Sequence, residues 1–345
     1  MAPTQTEEKR QEPDYKFIPP VYRTPLSKRR LGKHYTKTLA SLPFPVEAKI
    51  VATQWGKAHI LVAGPPDAIP LFLWQATAAP GPFMLSLFSS FVPNYRVYVA
   101  DVPCQAGSRS EQARFDPDKN ELGQWSAQVI TGCLGDPEPA NNPNTVKFGT
   151  AETIKFSKPI LHAGISFGGG VIVDLARVKP SLISAAALIV PSSLHPDCTT
   201  YGYFFEVTRK VFLPMMAYRW LPCKITKNRV FSSMFDEPDL SHPAMKQQDL
   251  AFKNILWFPR PAKHVESKKE FENYTAPTLL ITAEQDVFGG GEATASRARE
   301  VFENCDELVV EELKETKHVP SAAKMINIMS IVEKFFAERG FSGEK

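Results

Sequence analysis

Apolar positions follow two rhythms along the chain, and the switching between them predicts the architecture. Short β-rich runs, "AKIVAT" and "KAHILVAG", flank Gly56-Lys57 and predict a hairpin beginning near Glu47. "IPLFLWQ" (69–75) and "YRVYVAD" (95–101) are apolar runs of the kind expected of buried strands. Between them "FMLSLFSSF" suits a helix lying on the sheet. "ELGQWSAQVITGCL" places Leu122, Trp125, Val129 and Leu134 near helical spacing. A polar, proline-bearing stretch, "GDPEPANNPNTVKFGT", reads as a surface loop. Then follow a strand over 159–164, a helix over 167–178 and a strand over 184–190.

From Pro191 to Tyr274 the alternation stops. "YFFEVTRKVFLPMMAYRWL" and "NILWFPRP" predict a helical, aromatic-rich insertion. The alternation resumes with a strand over 277–283, a helix over 293–302, a strand in "ELVVEEL" and a final helix over 322–339. Strands alternating with helices predict an α/β fold: a mostly parallel central sheet covered by helices on both faces. Chemistry is then expected beyond the carboxyl ends of the strands. Residues 1–40, polar and rich in proline, read as a flexible arm. Residues 41–345 read as one domain with its insertion at about 191–274.

Composition narrows the function. Lys plus Arg number 40 and Asp plus Glu 37, a net charge of only +3, which gives no support to a nucleic-acid binder. Five cysteines with no CxxC argue for reduced thiols rather than a disulfide scaffold or zinc site. No apolar run is long enough to span a membrane, and the N-terminus lacks a secretory or transit signal, so the expected location is cytoplasmic. The basic cluster Lys28-Arg29-Arg30 through Lys33 reads as a solvated patch, with a nuclear address as the alternative.

The stretch most informative about chemistry is "HAGISFGGGV" (162–171). A phosphate-binding P-loop would carry a Lys after its glycines, and none follows. A dinucleotide fingerprint would follow the first strand, and several strands have passed. What remains is Gly164-Ile165-Ser166-Phe167-Gly168, a Gly-x-Ser-x-Gly between strand and helix. Such a turn exposes one hydroxyl, and its glycines remove side chains that would strike neighbouring strands. The partners that activate a serine follow in order. Asp286 lies just past the strand of "LLITAEQDVF", with Glu284 as the rival acid. His318 lies in "ETKHVPSA", between the last strand and the last helix.

On these residues the chain resembles the α/β-hydrolase superfamily over roughly 46–341. More closely, "WGKAHILVAGPPDAIPLFLW", "YRVYVADVP" and "GISFGGG" resemble bacterial carboxylesterase-like serine hydrolases. The resemblance implies Ser166 as nucleophile, Asp286 as acid and His318 as base, with the 191–274 insertion in the place of the family's cap. The family's His-Gly after the third strand is replaced by Gln75-Ala76. Its glycine before the histidine is Lys317, and its glycine ahead of the acid is Ala283.

The expected activity is hydrolysis of a small-molecule carboxylic ester, with amide and thioester as rival substrates, through an acyl-enzyme on Ser166. No cofactor or metal is expected. The oxyanion would meet the Phe167 amide and one from the loop of Ala76 and Thr77, with that of Thr77 favoured; because a Cβ on Ala76 penalises positive φ, this second donor is expected to be displaced and turnover to be slow. Gln75, Trp220, Trp257 and Phe258 are candidate substrate-binding residues. Each residue also has a structural alternative: Ser166 as an ordinary turn serine, Asp286 as a helix cap, the cap aromatics as packing alone. The alternative function is a weak or inactive member of the fold acting as a ligand-binding receptor or scaffold. The sequence leaves the oligomeric state open.

Overall fold

A computed structural model describes residues 20–135, 158–197, 199–237, 243–256 and 258–342. The stretch read as a surface loop after Leu134, apart from Gly135, lies outside them, as do Trp257 and the first 19 residues.

In chain order the elements are α1 (Pro25–Ala40), β1 (Glu47–Thr53), β2 (Gly56–Ala63), β3 (Ile69–Trp74), α2 (Gly81–Leu87), β4 (Tyr95–Ala100), α3 (Glu121–Leu134), β5 (Leu161–Ile165), α4 (Phe167–Val178) and β6 (Ala185–Ile189). There follow α5 (Tyr201–Val207), α6 (Leu213–Trp220), α7 (Lys224–Met234), α8 (Pro243–Asn254), β7 (Thr278–Ala283), α9 (Gly291–Val301), β8 (Leu308–Leu313) and α10 (Ala322–Glu338). The eight strands form one sheet in the order β1-β2-β4-β3-β5-β6-β7-β8. β2 runs antiparallel to both its neighbours, and β3 to β8 run parallel with β4. This is the mostly parallel α/β sheet expected from the apolar runs.

Alternate residues of each central strand feed two cores. Phe72, Trp74, Ala186 and Leu188 face one core with α3 and α4. Leu71, Leu73, Leu161, Ala163, Ala187 and Ile189 face the other with α2 and α10. Burial on both faces is why these strands are continuously apolar rather than alternating.

α1 departs from the expected flexible arm. Thr24 caps it, accepting from the Ser27 amide at 3.0 Å, and Pro25 occupies its first turn. Ser27, Leu31 and Tyr35 form its buried stripe. The Tyr35 hydroxyl donates to Asp101 Oδ2 at 2.9 Å, and the other Asp101 oxygen accepts from the Gly81 amide at 3.0 Å. A fully buried carboxylate at the end of β4 thus ties α1 to the sheet and to the start of α2.

The helices between β6 and β7 pack around Val211, Met215, Val230, Phe231 and Phe252. They touch the loops at the carboxyl edge. Gln247 and Gln248 of α8 donate to the carbonyls of Ala78 and Thr77 at 2.7 and 2.8 Å. The Tyr203 hydroxyl of α5 donates to Phe288 O at 2.8 Å. Phe235, after α7, bridges to Val319.

Candidate active site

Ser166 sits where β5 turns into α4, with φ 54° and ψ −111°. A non-glycine residue in this region is strained, so the surroundings must hold it. They do: its amide donates to Ile189 O at 2.8 Å, and its carbonyl accepts from the Ser192 amide at 3.0 Å and the Gly170 amide at 3.2 Å. The surrounding glycines are required by close approach. A Cβ on Gly164 would lie 2.4 Å from the Gly168 carbonyl carbon, one on Gly168 would lie 1.9 Å from Trp74 O, and one on Gly169 would lie 2.6 Å from Pro191 Cβ. The glycine run lets α4 start directly against β3 and the β6 loop, leaving the half-buried serine at the strand end.

Asp286 and His318 reach the same point from the loops after β7 and β8. His318 Nδ1 lies 2.7 Å from Asp286 Oδ2, and His318 Nε2 lies 2.9 Å from Ser166 Oγ. A carboxylate only accepts, so the Nδ1 proton faces Asp286 and Nε2 accepts from the serine hydroxyl. Asp286 Oδ1 accepts from the Phe288 amide at 2.8 Å, and the Phe288 ring stands edge-on to the imidazole, centroids 4.7 Å apart. Glu284, the rival acid, is exposed and accepts from the Glu315 amide instead.

Neither His162 nor His195 is placed to serve Ser166. His162 is fully buried between Trp74 Nε1 at 3.0 Å and Leu182 O at 3.0 Å, and burial lowers its pKa to about 4. His195 stacks on Tyr203, accepts from the Asp197 amide at 3.1 Å and has its pKa lowered by burial. Cys104 donates to Ala113 O, and burial pushes its thiol up to about 11, which suits a structural rather than a reactive thiol.

The loop after β3 differs from expectation. The positive φ falls on Ala78 (61°), not on Ala76, so the Ala76 Cβ creates no strain there. The Ala78 amide donates to Gln105 Oε1 at 2.8 Å and the Ala79 amide to Ala76 O at 3.1 Å, so neither is available to an oxyanion. Ala76 and Thr77 are half-buried in this loop, and Phe167 is the first residue of α4, where an amide has no partner within the helix. Gln75 is fully buried, its Oε1 accepting from the Val102 amide at 2.9 Å, so its side chain serves the scaffold rather than a substrate. Trp220 is also misplaced for substrate: it is 74% exposed at the end of α6, with the Arg23 guanidinium over its ring. Phe258 is half-buried, edge-on to Phe252, and packs on the cluster that holds Ala78 and Cys104. Trp257 lies outside the described residues.

One group that sequence reasoning missed supports the histidine loop. Asp236, just past α7, accepts from the Lys317 amide at 2.7 Å and the Ser321 amide at 3.2 Å, and pairs with the Lys324 ammonium at 3.1 Å. Its own amide donates to Val319 O, and the Val319 amide to Met234 O. The chain on both sides of His318 is therefore held by the helical layer. Among the described residues no three His, Cys, Asp or Glu side chains cluster as a metal site requires.

This sheet order, with a serine turn after β5 and partners after β7 and β8, defines an α/β-hydrolase fold, and the chain is carboxylesterase-like. It is 26% identical to the carboxylesterase YbfK of Bacillus subtilis (strain 168) over 183 residues, 52% of this chain and 53% of YbfK. That match spans about half of either chain. It is 21% identical to the uncharacterized carboxylesterase nap of the same organism over 91% of this chain and 94% of the relative. Among solved structures, naproxen esterase from B. subtilis superposes with a TM-score of 0.65 at 18% identity, over 90% of this chain and 98% of the other. Carboxylesterase CesB (YbfK) gives 0.61 at 18% identity, over 92% and 98%. No family model matches the chain.

Proposed function

We propose that the protein is a serine carboxylesterase acting on small-molecule esters. The observation that carries this reading is the hydrogen-bonded chain from Ser166 through His318 to Asp286, at 2.9 and 2.7 Å. His318 Nε2 takes the Ser166 proton as Oγ attacks the ester carbonyl, while Asp286 fixes the tautomer and stabilises the imidazolium. The Phe167 amide and that of Thr77, or of Ala76 beside it, receive the charge on the tetrahedral oxygen. His318 then protonates the departing alkoxide. Water, deprotonated by the same imidazole, releases the acid and restores Ser166. The strained serine backbone fits this role, since it directs Oγ away from the sheet. The YbfK and nap resemblances supply the substrate class, because both relatives are named as carboxylesterases.

The test is a fluorophosphonate probe together with short p-nitrophenyl esters. The native chain should label at Ser166 and hydrolyse the esters. Ser166→Ala should lose both, with its melting midpoint unchanged, because no core volume is removed. Full activity in Ser166→Ala would overturn the assignment. A folded native chain that neither labels nor turns over would return the reading to a binding protein.

A further inference from the structure

The most unusual surface of the molecule lies on the helical layer, outside the site. α5, a π-helical stretch over Thr208–Phe212 and α6 run on without a break in helical backbone angles, so Tyr201 to Trp220 is one helix. Its inner face carries Val207, Val211, Met215 and Tyr218, all buried. Its outer face is apolar too: Phe204 is 62% exposed, Phe205 53%, Leu213 55% and Met216 50%, with Tyr201 and Trp220 more exposed still at its two ends. Apart from the ion-paired Glu206, Arg209 and Lys210, the helix is largely apolar on both sides, yet only one side is covered. Leu221 and Ile225, also exposed, extend the patch into α7. Single exposed apolar side chains are ordinary; a contiguous run of this size marks an interaction surface.

The flanking charge identifies the occupant. Between residues 201 and 230 the cations are Arg209, Lys210, Arg219, Lys224, Lys227 and Arg229, against the single acid Glu206. Glu206 is itself paired with Arg209 and Lys210. The patch also meets α1, since Arg23 lies over the Trp220 ring and donates to Arg219 O at 3.0 Å. α1 adds exposed Leu26 and the exposed cations Lys28, Arg29, Arg30 and Lys33. A second copy of the chain docked here would oppose one cation cluster with another. An anionic lipid surface would satisfy both features, taking the apolar side chains into its acyl boundary and the cations at its phosphates.

We propose that the outer face of the Tyr201–Trp220 helix, with the basic face of α1, docks the protein on an anionic phospholipid surface. The protein lies on the bilayer rather than through it: no helix among the described residues is long and apolar enough to cross. The docking face adjoins the site, because Tyr203 on the same helix holds the loop that carries Asp286. Docking would therefore bring the site close to esters dissolved in the lipid.

The test is co-sedimentation of the full chain with vesicles of phosphatidylcholine, alone or mixed with phosphatidylglycerol. Binding should be strong only to the mixed vesicles and should weaken as salt rises. The triple variant Phe204→Ser, Phe205→Ser, Leu213→Ser should bind them roughly tenfold less or weaker. Its hydrolysis of water-soluble esters should be unchanged, which separates this proposal from the esterase reading. Reversing charge with Lys224→Glu and Lys227→Glu should remove the preference for phosphatidylglycerol. Absence of binding to mixed vesicles overturns the proposal, as does equal binding by the triple variant. A native dimer in sedimentation velocity that the triple variant abolishes assigns the surface to a second copy and overturns it as well.

Discussion

Replacing Asp236 by Ala tests whether the helical layer sets the position of His318. Asp236 contacts none of the three site residues, yet it holds the chain on both sides of His318. The 2.7 Å bond from the Lys317 amide is charge-assisted and contributes about 1.5–3 kcal/mol. The 3.2 Å bond from Ser321 is longer and weaker, and the partly exposed Lys324 pair adds at most about 1 kcal/mol. The Asp236 side chain is only 10% exposed, so water will satisfy just part of what is lost, leaving about 2 kcal/mol favouring the observed loop. That corresponds to a roughly thirtyfold change in the ratio of loop arrangements. If His318 must keep its place between Ser166 and Asp286, kcat for a soluble ester should fall about ten- to thirtyfold. KM should be unchanged, and fluorophosphonate labelling should slow in proportion. Asp236→Asn keeps one acceptor for the Lys317 amide and should recover part of the rate. The measurements are steady-state kinetics and thermal melting. A kcat within twofold of native, or a loss confined to KM, would refute the reasoning.

Gly168→Ala should cost more stability than any change at Ser166, Asp286 or His318: its Cβ would lie 1.9 Å from Trp74 O and 2.5 Å from Trp74 C, both backbone atoms. A loss of about 3 kcal/mol or failure to fold is expected by urea unfolding, and a native-like midpoint would show that α4 can move away from β3. His162 supplies a pH dependence of stability: burial lowers its pKa from 6.5 to about 4, so the unfolded chain binds a proton that the folded chain excludes. Stability is then fully present above 6.5 and lost as pH falls toward 4, by roughly 3 kcal/mol at most, and His162→Gln should flatten that slope in unfolding curves taken across the range.

The strands were legible because burial on both faces forces continuous apolar runs. β3 to β7 are read from "IPLFLW", "YRVYVA", "LHAGI", "AAALI" and "TLLITA" almost residue for residue. The order of Ser166, Asp286 and His318 was legible because each follows a strand whose carboxyl end lies on one edge, and the structure brings them within hydrogen-bonding distance. α1 was not legible. Its buried stripe is only Ser27, Leu31 and Tyr35, and the contact that anchors it is a buried hydrogen bond to Asp101, sixty-six positions away. Trp220 misled for the opposite reason. Aromatic density signals apolar surface but does not say which side of a helix is covered, and here the covered side is that of Val211 and Met215. Asp236 gave no signal at all, since an acid just past a helix is ordinary and its partners are backbone amides.

The loop after β3 is held by side-chain hydrogen bonds rather than by a glycine. Its one positive φ rests on Ala78, where a Cβ costs about 1–2 kcal/mol. That strain must be offset nearby, and the surrounding glutamines are placed to do so. Gln105 accepts from the Ala78 amide, Gln247 donates to the Ala78 carbonyl, and Gln248 donates to the Thr77 carbonyl. Gln75 meanwhile fastens the loop's first residue to Val102. Each net hydrogen bond contributes about 1 kcal/mol, so three at Thr77 and Ala78 exceed the strain they oppose. Two of them come from α8. The shape of the loop proposed to receive the oxyanion therefore depends on the helical layer, just as the position of His318 does through Asp236. The layer packs on the sheet edge and, through Asp236 and α8, also shapes the geometry on either side of Ser166.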